Sequence, residues 1–327
     1  MRIVIIDSVN QDIGLKLLFP EADYFIHNDE DCTRKDRISS YHHYRFSPNT
    51  DFSSIHDKNY DYVFIILPSY DIIPSTPYYN EHFKNIFDKI TDILNQNHFK
   101  FVAWFDNYDF DYDPTTFITN PKINMFFKRN YNKTKKYNQK VVPFPFIMFG
   151  NKSLIEKCDR ELVSETEYFK EKQPRIFFSG NIFPKNDYVY MDMDIPRGRQ
   201  EIYSQISNYI YNPGNLDYPR FINELQNSRF ALDLLGVGDP NKRTFEILMS
   251  GSLMISQYNH LLWPFTDGES FSKETIFKNE TEFKEIIYNL SNNSVLYDSC
   301  LQNQYMIVQK YFNKKWLRNY LLSNMLL

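Results

Sequence analysis

The stretch that decides the fold runs from Ser228 to Ser256 and reads SRFALDLLGVGDPNKRTFEILMSGSLMIS. The apolar run Phe230–Leu235 predicts a buried strand, and Leu253–Ser256 predicts a second one. Between them, a loop with two glycines precedes a helix predicted over Thr244–Met249. A strand, a helix and a further strand in this order are typical of a βαβ unit in a parallel sheet.

Charged residues surround the start of the predicted helix. Lys242 and Arg243 lie where unpaired backbone N–H groups and the positive end of the helix dipole favour an anion. Glu246 follows Arg243 by three residues, so both side chains project from one helical face. An arginine donates to two phosphate oxygens at once, and a carboxylate accepts from ribose hydroxyls. The pattern therefore predicts a site for a nucleotide-diphosphate sugar.

The placement of glycine supports a binding site in the second half of the chain. Of the nine glycines only Gly14 precedes position 150, whereas Gly180, Gly236 and Gly238 each follow a predicted strand. Ligands of open α/β sheets bind at these strand ends. The alternatives are ordinary turns and an exposed ion pair between the charged residues of the helix, worth a few tenths of a kcal/mol.

Outward from this unit, apolar runs alternate with amphipathic segments along the whole chain. Val141–Phe146 contains two prolines and is predicted to be an edge strand or an extended connector. The remaining predicted strands are Arg2–Ile6, Tyr62–Leu67, Phe99–Phe105 and the run from Pro174 that turns at Gly180, and the predicted helices are Gln11–Phe19, His82–Leu94, Arg199–Ile210, Thr281–Asn289 and Tyr305–Leu322. We predict an α/β protein with two Rossmann-like domains facing each other across a cleft, at 1–155 and 170–305, and a C-terminal helix, 306–327, that packs back on the first domain.

Composition excludes several classes of protein. With 42% hydrophobic and 24% charged residues, the chain is ordinary globular protein. A net charge of −4 argues against nucleic acid as a partner. Three cysteines without CxxC spacing argue against a disulfide scaffold or structural zinc. No run approaches the roughly 20 apolar residues of a membrane helix, so we expect a soluble cytoplasmic protein.

The arrangement Arg-x-x-Glu-x4-Gly, formed by Arg243, Glu246 and Gly251, resembles the donor-binding half of GT-B glycosyltransferases of the family-1-like, spore-maturation and exostosin-like types. Further similarities are Phe178–Asn181, Arg197–Arg199, and Phe126–Arg129 followed by Val142–Phe146, so the resemblance covers about Ile123–Leu322. It implies that Glu246 contacts the ribose and Arg243 the diphosphate, with no metal or other cofactor. The complete predicted donor site is Gly180, Asn181, Arg199, Gly236, Gly238, Lys242, Arg243 and Glu246.

The resemblance implies an acceptor bound to the first domain, with a hydroxyl of a glycan, glycoprotein or glycolipid as the attacking group. An inverting transferase needs a general base within hydrogen-bond reach of that hydroxyl. Asp106, which follows the strand Phe99–Phe105, is one candidate, and Asp109 and His27 are the others. The second carboxylate of many retaining members is replaced by Gly238, so the stereochemistry stays open.

Two other charged segments have alternative interpretations. The Asp-x-Asp spacings in 109–113 and 192–194 suggest a metal-bridged sugar nucleotide, but we expect solvated loops there and no metal. The run Lys128–Lys140 has six cations and no acids. It is either a solvated loop or a surface for peripheral contact with an anionic membrane.

Two other functional classes stay open. One is a non-catalytic nucleotide-binding or scaffold protein that keeps the fold. The other is a nucleotide-sugar-modifying or oxidoreductase-type Rossmann enzyme, which is disfavoured because Ile6-Asp7-Ser8 lacks a Gly-x-Gly-x-x-Gly turn after the first strand.

Overall fold

The computed structural model describes residues 1–7, 13–26, 52–67, 72–73, 81–106, 112–129, 131–144, 172–180, 182, 195–235, 242–258, 271–311 and 314–325. Contacts between Cα atoms divide the chain into two units. The first unit contains the described residues up to 144 together with 314–325, and the second contains those from 172 to 311. The predicted domain boundary, between 155 and 170, lies outside the described residues.

The first unit is built on a parallel sheet. Its elements are β1 (Ile3–Asp7), α1 (Ile13–Leu18), β2 (Asp23–Ile26), β3 (Tyr62–Ile66), α2 (Glu81–Gln96), β4 (Phe101–Asp106), β5 (Met125–Lys128) and β6 (Val141–Pro143). The six strands found in the described residues pair in the order β2-β1-β3-β4-β5-β6, all of them parallel. Every residue of β1 and β4 is buried, as expected for strands of a parallel sheet that is covered on both faces.

The direction of these strands brings charged residues together. The carboxyl ends of parallel strands lie at one edge of a sheet, and Asp7, Asp106 and Lys128 are the last residues of β1, β4 and β5. Of the two alternatives predicted for Val141–Phe146, the described residues show the edge strand, because β6 is the last of the described strands of this sheet and contains Pro143.

The second unit is also an α/β unit. Its elements are β7 (Gln173–Phe177), α3 (Ile195–Ile206), β8 (Ile210–Tyr211), α4 (Tyr218–Asn227), β9 (Ser228–Asp233), α5 (Lys242–Ser250), β10 (Leu253–Gln257), β11 (Ile276–Phe277), α6 (Glu280–Asn292) and α7 (Ser294–Tyr311). Its described strands form a parallel sheet in the order β11-β10-β9-β7-β8. Two parallel α/β sheets confirm the prediction of two Rossmann-like domains.

A last helix, α8 (Lys314–Met325), belongs to the first unit. A guanidinium nitrogen of Arg318 donates to the carbonyl of Leu18 at 3.0 Å, and the hydroxyl of Tyr320 donates to the carbonyl of Pro143 at 2.6 Å. The return of the C-terminal helix to the first domain is confirmed. The helix predicted over Tyr305–Leu322 corresponds instead to the end of α7 and most of α8, with 312–313 outside the described residues.

Two further features bear on the predictions. The helix predicted over Arg199–Ile210 is wrong at its end, because α3 stops at Ile206 and Ile210 begins β8. No helix of the described residues has both the length and the apolar character needed to cross a bilayer.

Candidate functional site

The candidate site lies at the carboxyl edge of the second sheet. Strands β7 and β9 pair directly, so their carboxyl ends are neighbours. Phe178, Ser179 and Gly180 follow β7, and Leu234 and Leu235 follow β9. The next element after β9 is α5, which begins at Lys242. The start of α5 reaches this edge, since the side chain of Arg243 lies against Gly180.

Arg243 and Gly180 are in direct contact. A Cβ atom added to Gly180 would lie 2.1 Å from a terminal guanidinium nitrogen of Arg243 and 2.6 Å from its Cζ. The φ angle of Gly180 is +154°, a value that side-chain-bearing residues rarely adopt. On another side, Cζ of Arg243 lies 5.0 Å from the ring centroid of Phe178. Glycine at position 180 therefore leaves the space that the guanidinium occupies.

Glu246 lies one helical turn further along α5 and is buried, with 6% of its surface exposed. A surface ion pair of the kind considered from the sequence requires an exposed carboxylate, which Glu246 does not have. Burial of a carboxylate is costly without polar partners, so its position is functional or part of a polar network. The structure thus buries Glu246 and leaves Arg243 half-buried.

Arg199, on α3, reaches the same edge of the sheet. Its Nε donates to the carbonyl of Leu235, and its Nη2 donates to the carbonyl of Leu234 at 3.2 Å. Arg199 therefore binds the backbone at the carboxyl end of β9, immediately before the segment with Gly236 and Gly238, which lies outside the described residues. Gly180, Arg199 and Arg243 lie around the ends of β7 and β9, and Glu246 follows Arg243 by three residues on α5.

Other residues of the predicted donor site are not placed by the structure. Asn181, Gly236 and Gly238 lie outside the described residues, as does the side chain of Lys242, of which the structure shows only its position as first residue of α5. Their roles stay predictions.

The structure adds polar residues that the sequence did not single out. The hydroxyl of Ser179 donates to the carbonyl of Gly214 at 2.9 Å and thereby joins the segment after β7 to the turn after β8. The carboxylate of Asp233, the last residue of β9, is buried. The backbone N–H of Leu235 donates to Oε1 of Gln257 at 3.2 Å. The available signals were a carboxylate within the apolar run Phe230–Leu235 for Asp233 and a polar residue directly after the run Leu253–Ser256 for Gln257.

In the first unit, Asp106 is part of a buried ion pair. Its Oδ2 lies 2.8 Å from Nζ of Lys128, and neither side chain has any exposed surface. The hydroxyl of Tyr112 donates to Oδ1 of Asp106 at 3.0 Å, and Nζ of Lys128 lies 4.3 Å from the ring centroid of Tyr112. The role of Asp106 as general base stays a prediction. Asp109 and His27 lie outside the described residues.

The same ion pair changes the interpretation of the basic run Lys128–Lys140. Lys128 ends strand β5, and both it and Arg129 are buried, so the run is not a single surface. Lys133, Lys135 and Lys136 are exposed. Contact with an anionic membrane stays a prediction and now depends on these three lysines.

The acidic segment 109–113 contributes a helix cap. The carboxylate of Asp113 accepts from the backbone N–H of Thr115 at 2.9 Å, at the start of the 3-10 helix Pro114–Thr116, and from the N–H of Asn138 at 2.7 Å. Asp192 and Asp194 lie outside the described residues. Within the part of the chain that the structure describes, no group of three or more His, Cys, Asp or Glu side chains is arranged to hold a metal ion.

The chain was compared with known proteins. No protein-family model and no curated protein sequence matches it. The T4 phage β-glucosyltransferase solved with its UDP-glucose substrate is similar in structure, with a TM-score of 0.52, 12% identity and 100% of both chains covered. Anabaena HepE solved with UDP and glucose has a TM-score of 0.55 at 9% identity, with 99% of each chain covered. The UDP-forming α,α-trehalose-phosphate synthase of Burkholderia xenovorans has a TM-score of 0.51 at 10% identity and covers 99% of this chain and 98% of its own.

Proposed function

We propose that this chain, which has the GT-B fold of the transferases that it resembles in structure, moves a sugar from a nucleotide-diphosphate donor to a hydroxyl acceptor. The observation that carries the proposal is the contact between the Arg243 guanidinium and Gly180 at the carboxyl edge of the second sheet, with the buried Glu246 one turn further along α5. Solved structures of this fold contain UDP, UDP-glucose or UDP and glucose.

The chemistry of the site fits a diphosphate. The guanidinium of Arg243 and the N-terminal N–H groups of α5 both favour negative charge, and the charge of the donor increases on the diphosphate as the glycosidic bond breaks. Groups already held in place stabilise that charge without reorganisation. Glu246 would accept from the ribose hydroxyls, and Arg199 would hold the backbone of Leu234 and Leu235 at the end of β9.

We further propose that no metal is needed, because Lys242, Arg243 and the dipole of α5 supply positive charge at the leaving group. One structure of the T4 phage enzyme contains UDP and Mn2+, so the point requires its own test. Transfer that continues at an unchanged rate in EDTA supports metal independence. Transfer that stops in EDTA and returns with Mn2+ or Mg2+ contradicts it.

The acceptor is proposed to bind the first unit, at the edge where β1, β4 and β5 end. Asp106 and Asp109 are the proposed candidates for the general base. Asp106 already accepts from Lys128 and Tyr112, so an acceptor hydroxyl would have to reach a carboxylate that two other donors contact. If the reaction is retaining, no base is required, and Asp106 has no proton to take.

Binding by the full chain tests the proposal. Isothermal titration with UDP, GDP, dTDP and NAD identifies the ligand, and Arg243→Ala and Glu246→Gln should each weaken binding roughly 10- to 100-fold, the loss of one charge-assisted hydrogen bond. Arg220→Ala and Glu285→Ala, at exposed positions of the same unit, are the matched controls. Equal affinity in all five proteins would contradict the site.

Turnover separates an enzyme from a scaffold. Donor hydrolysis or transfer by the wild type that is lost in Arg243→Ala supports a transferase. Tight nucleotide binding without any turnover across UDP-, GDP- and dTDP-sugars would support the non-catalytic nucleotide-binding protein instead. Binding of NAD alone would support a Rossmann enzyme of another class.

A further inference from the structure

We infer that Phe178 is a positioning residue for Arg243: its ring holds the guanidinium at the donor site, in the space that Gly180 leaves open. This inference rests on the proposed function, because it concerns the group that binds the donor diphosphate. Phe178 itself would not touch the donor. Its contribution would act entirely through the arginine.

The ring of Phe178 is a rigid support. Its side chain is 1% exposed, and it packs at 5.5 Å from the ring of Tyr203. Its backbone N–H donates to the carbonyl of Tyr211 at 3.1 Å, which fixes the residue to the edge strand β8. A side chain that is fixed both by packing and by a backbone hydrogen bond keeps a single position relative to its neighbour.

The contact between Phe178 and Arg243 has the geometry of a cation–π interaction. Cζ of Arg243 lies 5.0 Å from the ring centroid, inside the range of about 6 Å over which such contacts are attractive. A guanidinium that lies against a ring can still donate its N–H groups in its own plane. The ring therefore holds the cation without using the hydrogen bonds that a diphosphate needs.

Gly180 confines the same group as well. The terminal guanidinium atoms lie so close to its Cα that a methyl group there would overlap them at 2.1–2.6 Å. Together the two residues restrict a side chain that is otherwise among the most flexible in proteins. Ordering the arginine before the donor arrives removes most of the entropy it would lose on binding, which raises affinity for the diphosphate.

The consequence is specific to the phosphates. Loss of the ring should weaken binding of a nucleoside diphosphate and leave binding of the nucleoside nearly unchanged. A merely structural role for Phe178 would instead weaken both ligands together. The ratio of the two affinities therefore separates positioning from general damage to the fold.

The experiment measures dissociation constants of UDP and uridine, GDP and guanosine, and dTDP and thymidine for the full chain. Phe178→Leu removes the ring, and Phe178→Tyr keeps it while disturbing the buried position to a similar degree. We expect the diphosphate-to-nucleoside affinity ratio to fall roughly 2- to 30-fold in Phe178→Leu, the range of one cation–π contact, and to be retained in Phe178→Tyr. An unchanged ratio in Phe178→Leu would overturn the inference, as would an equal fall in both variants.

Gly180→Ala provides a second test that leaves the ring in place. The added methyl displaces the guanidinium, so the ratio should fall to the level of Arg243→Ala. In an Arg243→Ala background the clash with the guanidinium is absent and only the backbone strain at φ +154° remains. That strain acts on the diphosphate and the nucleoside alike, so Gly180→Ala should then cause little further change in the ratio. Independent effects of the two substitutions would overturn the inference. The proposed function fails if the wild type binds no nucleoside diphosphate more tightly than its nucleoside. The inference about Phe178 alone fails if the affinity ratio depends on Arg243 but is unchanged in Phe178→Leu.

Discussion

Replacement of Lys128 by methionine should strongly destabilise the first unit. Lys128 and Asp106 have no exposed surface, and their charged atoms are 2.8 Å apart. Methionine preserves most of the volume, so the main effect is an uncompensated carboxylate in the interior. Removal of one partner of a buried ion pair costs about 3–5 kcal/mol. The hydrogen bond from Tyr112 remains and offsets part of this loss, so we expect the lower half of that range.

A double variant determines how much of this loss belongs to the pair. Asp106→Leu combined with Lys128→Met removes both charges together, and it should cost less than the sum of the two single substitutions by about 2 kcal/mol or more. Urea unfolding followed by tryptophan fluorescence is a suitable assay, because Trp104 is fully buried in β4 next to the pair.

Lys100→Met is the matched control for these variants. Lys100 is 73% exposed and forms a surface ion pair with Asp61, so its loss should cost no more than about 1 kcal/mol. A cost for Lys128→Met as small as that of Lys100→Met would show that the buried ion pair does not stabilise the first unit more than a surface pair does. Strict additivity of the two buried substitutions would contradict the predicted coupling between Lys128 and Asp106.

Two other predictions concern single side chains. Gln304 accepts from the N–H of Met254 at 2.9 Å and donates to the carbonyl of Ser252 at 2.8 Å. Gln304→Leu should therefore lower the stability of the second unit by about 2–4 kcal/mol in thermal unfolding. An equal effect of Gln302→Leu, at an exposed position of the same helix, would contradict this prediction. The hydroxyl of Tyr60 is the main cause of the lowered pKa of Asp23. Ionised Asp23 therefore stabilises the fold above its unfolded-state pKa of about 4, and this stability is lost as the pH falls through the lower folded-state pKa. Tyr60→Phe should raise the pKa of Asp23 in an NMR titration, and an unchanged pKa would count against the hydrogen bond.

The βαβ unit at Ser228–Ser256 is a part of the fold that the sequence predicts well. Its two strands are apolar enough to be buried on both faces, and the helix between them has apolar residues at helical spacing. The observed elements β9, α5 and β10 differ from the predicted ones by two residues or fewer at each end. Local pattern and tertiary environment agree here, and the prediction succeeds for that reason.

Strand β5 was missed for a physical reason. It ends in Lys128, which in the sequence begins a run of cations and suggests solvent. The partner that makes burial possible, Asp106, comes from a different strand. Only the folded sheet brings the two charges together. By contrast, the sequence contains a signal for the start of helix α4, because Asp217 is its N-cap residue and a proline follows within its first turn.

The candidate site was predicted in its residue types but not in its internal contacts. Glycines after strands and a cation at a helix start indicated the carboxyl edge of the second sheet. That Arg243 lies on Gly180, or that Phe178 supports it, depends on the direct pairing of β7 with β9. A sequence contains no local sign of such a contact between distant segments.

The most direct test of the central claim is a crystal structure of the full chain with the nucleoside diphosphate that binds most tightly. We expect phosphate oxygens within hydrogen-bond distance of the Arg243 guanidinium and ribose hydroxyls at the carboxylate of Glu246. A nucleotide bound only to other residues, with Arg243 still resting on Gly180 and Phe178 and making no contact with it, would contradict the claim.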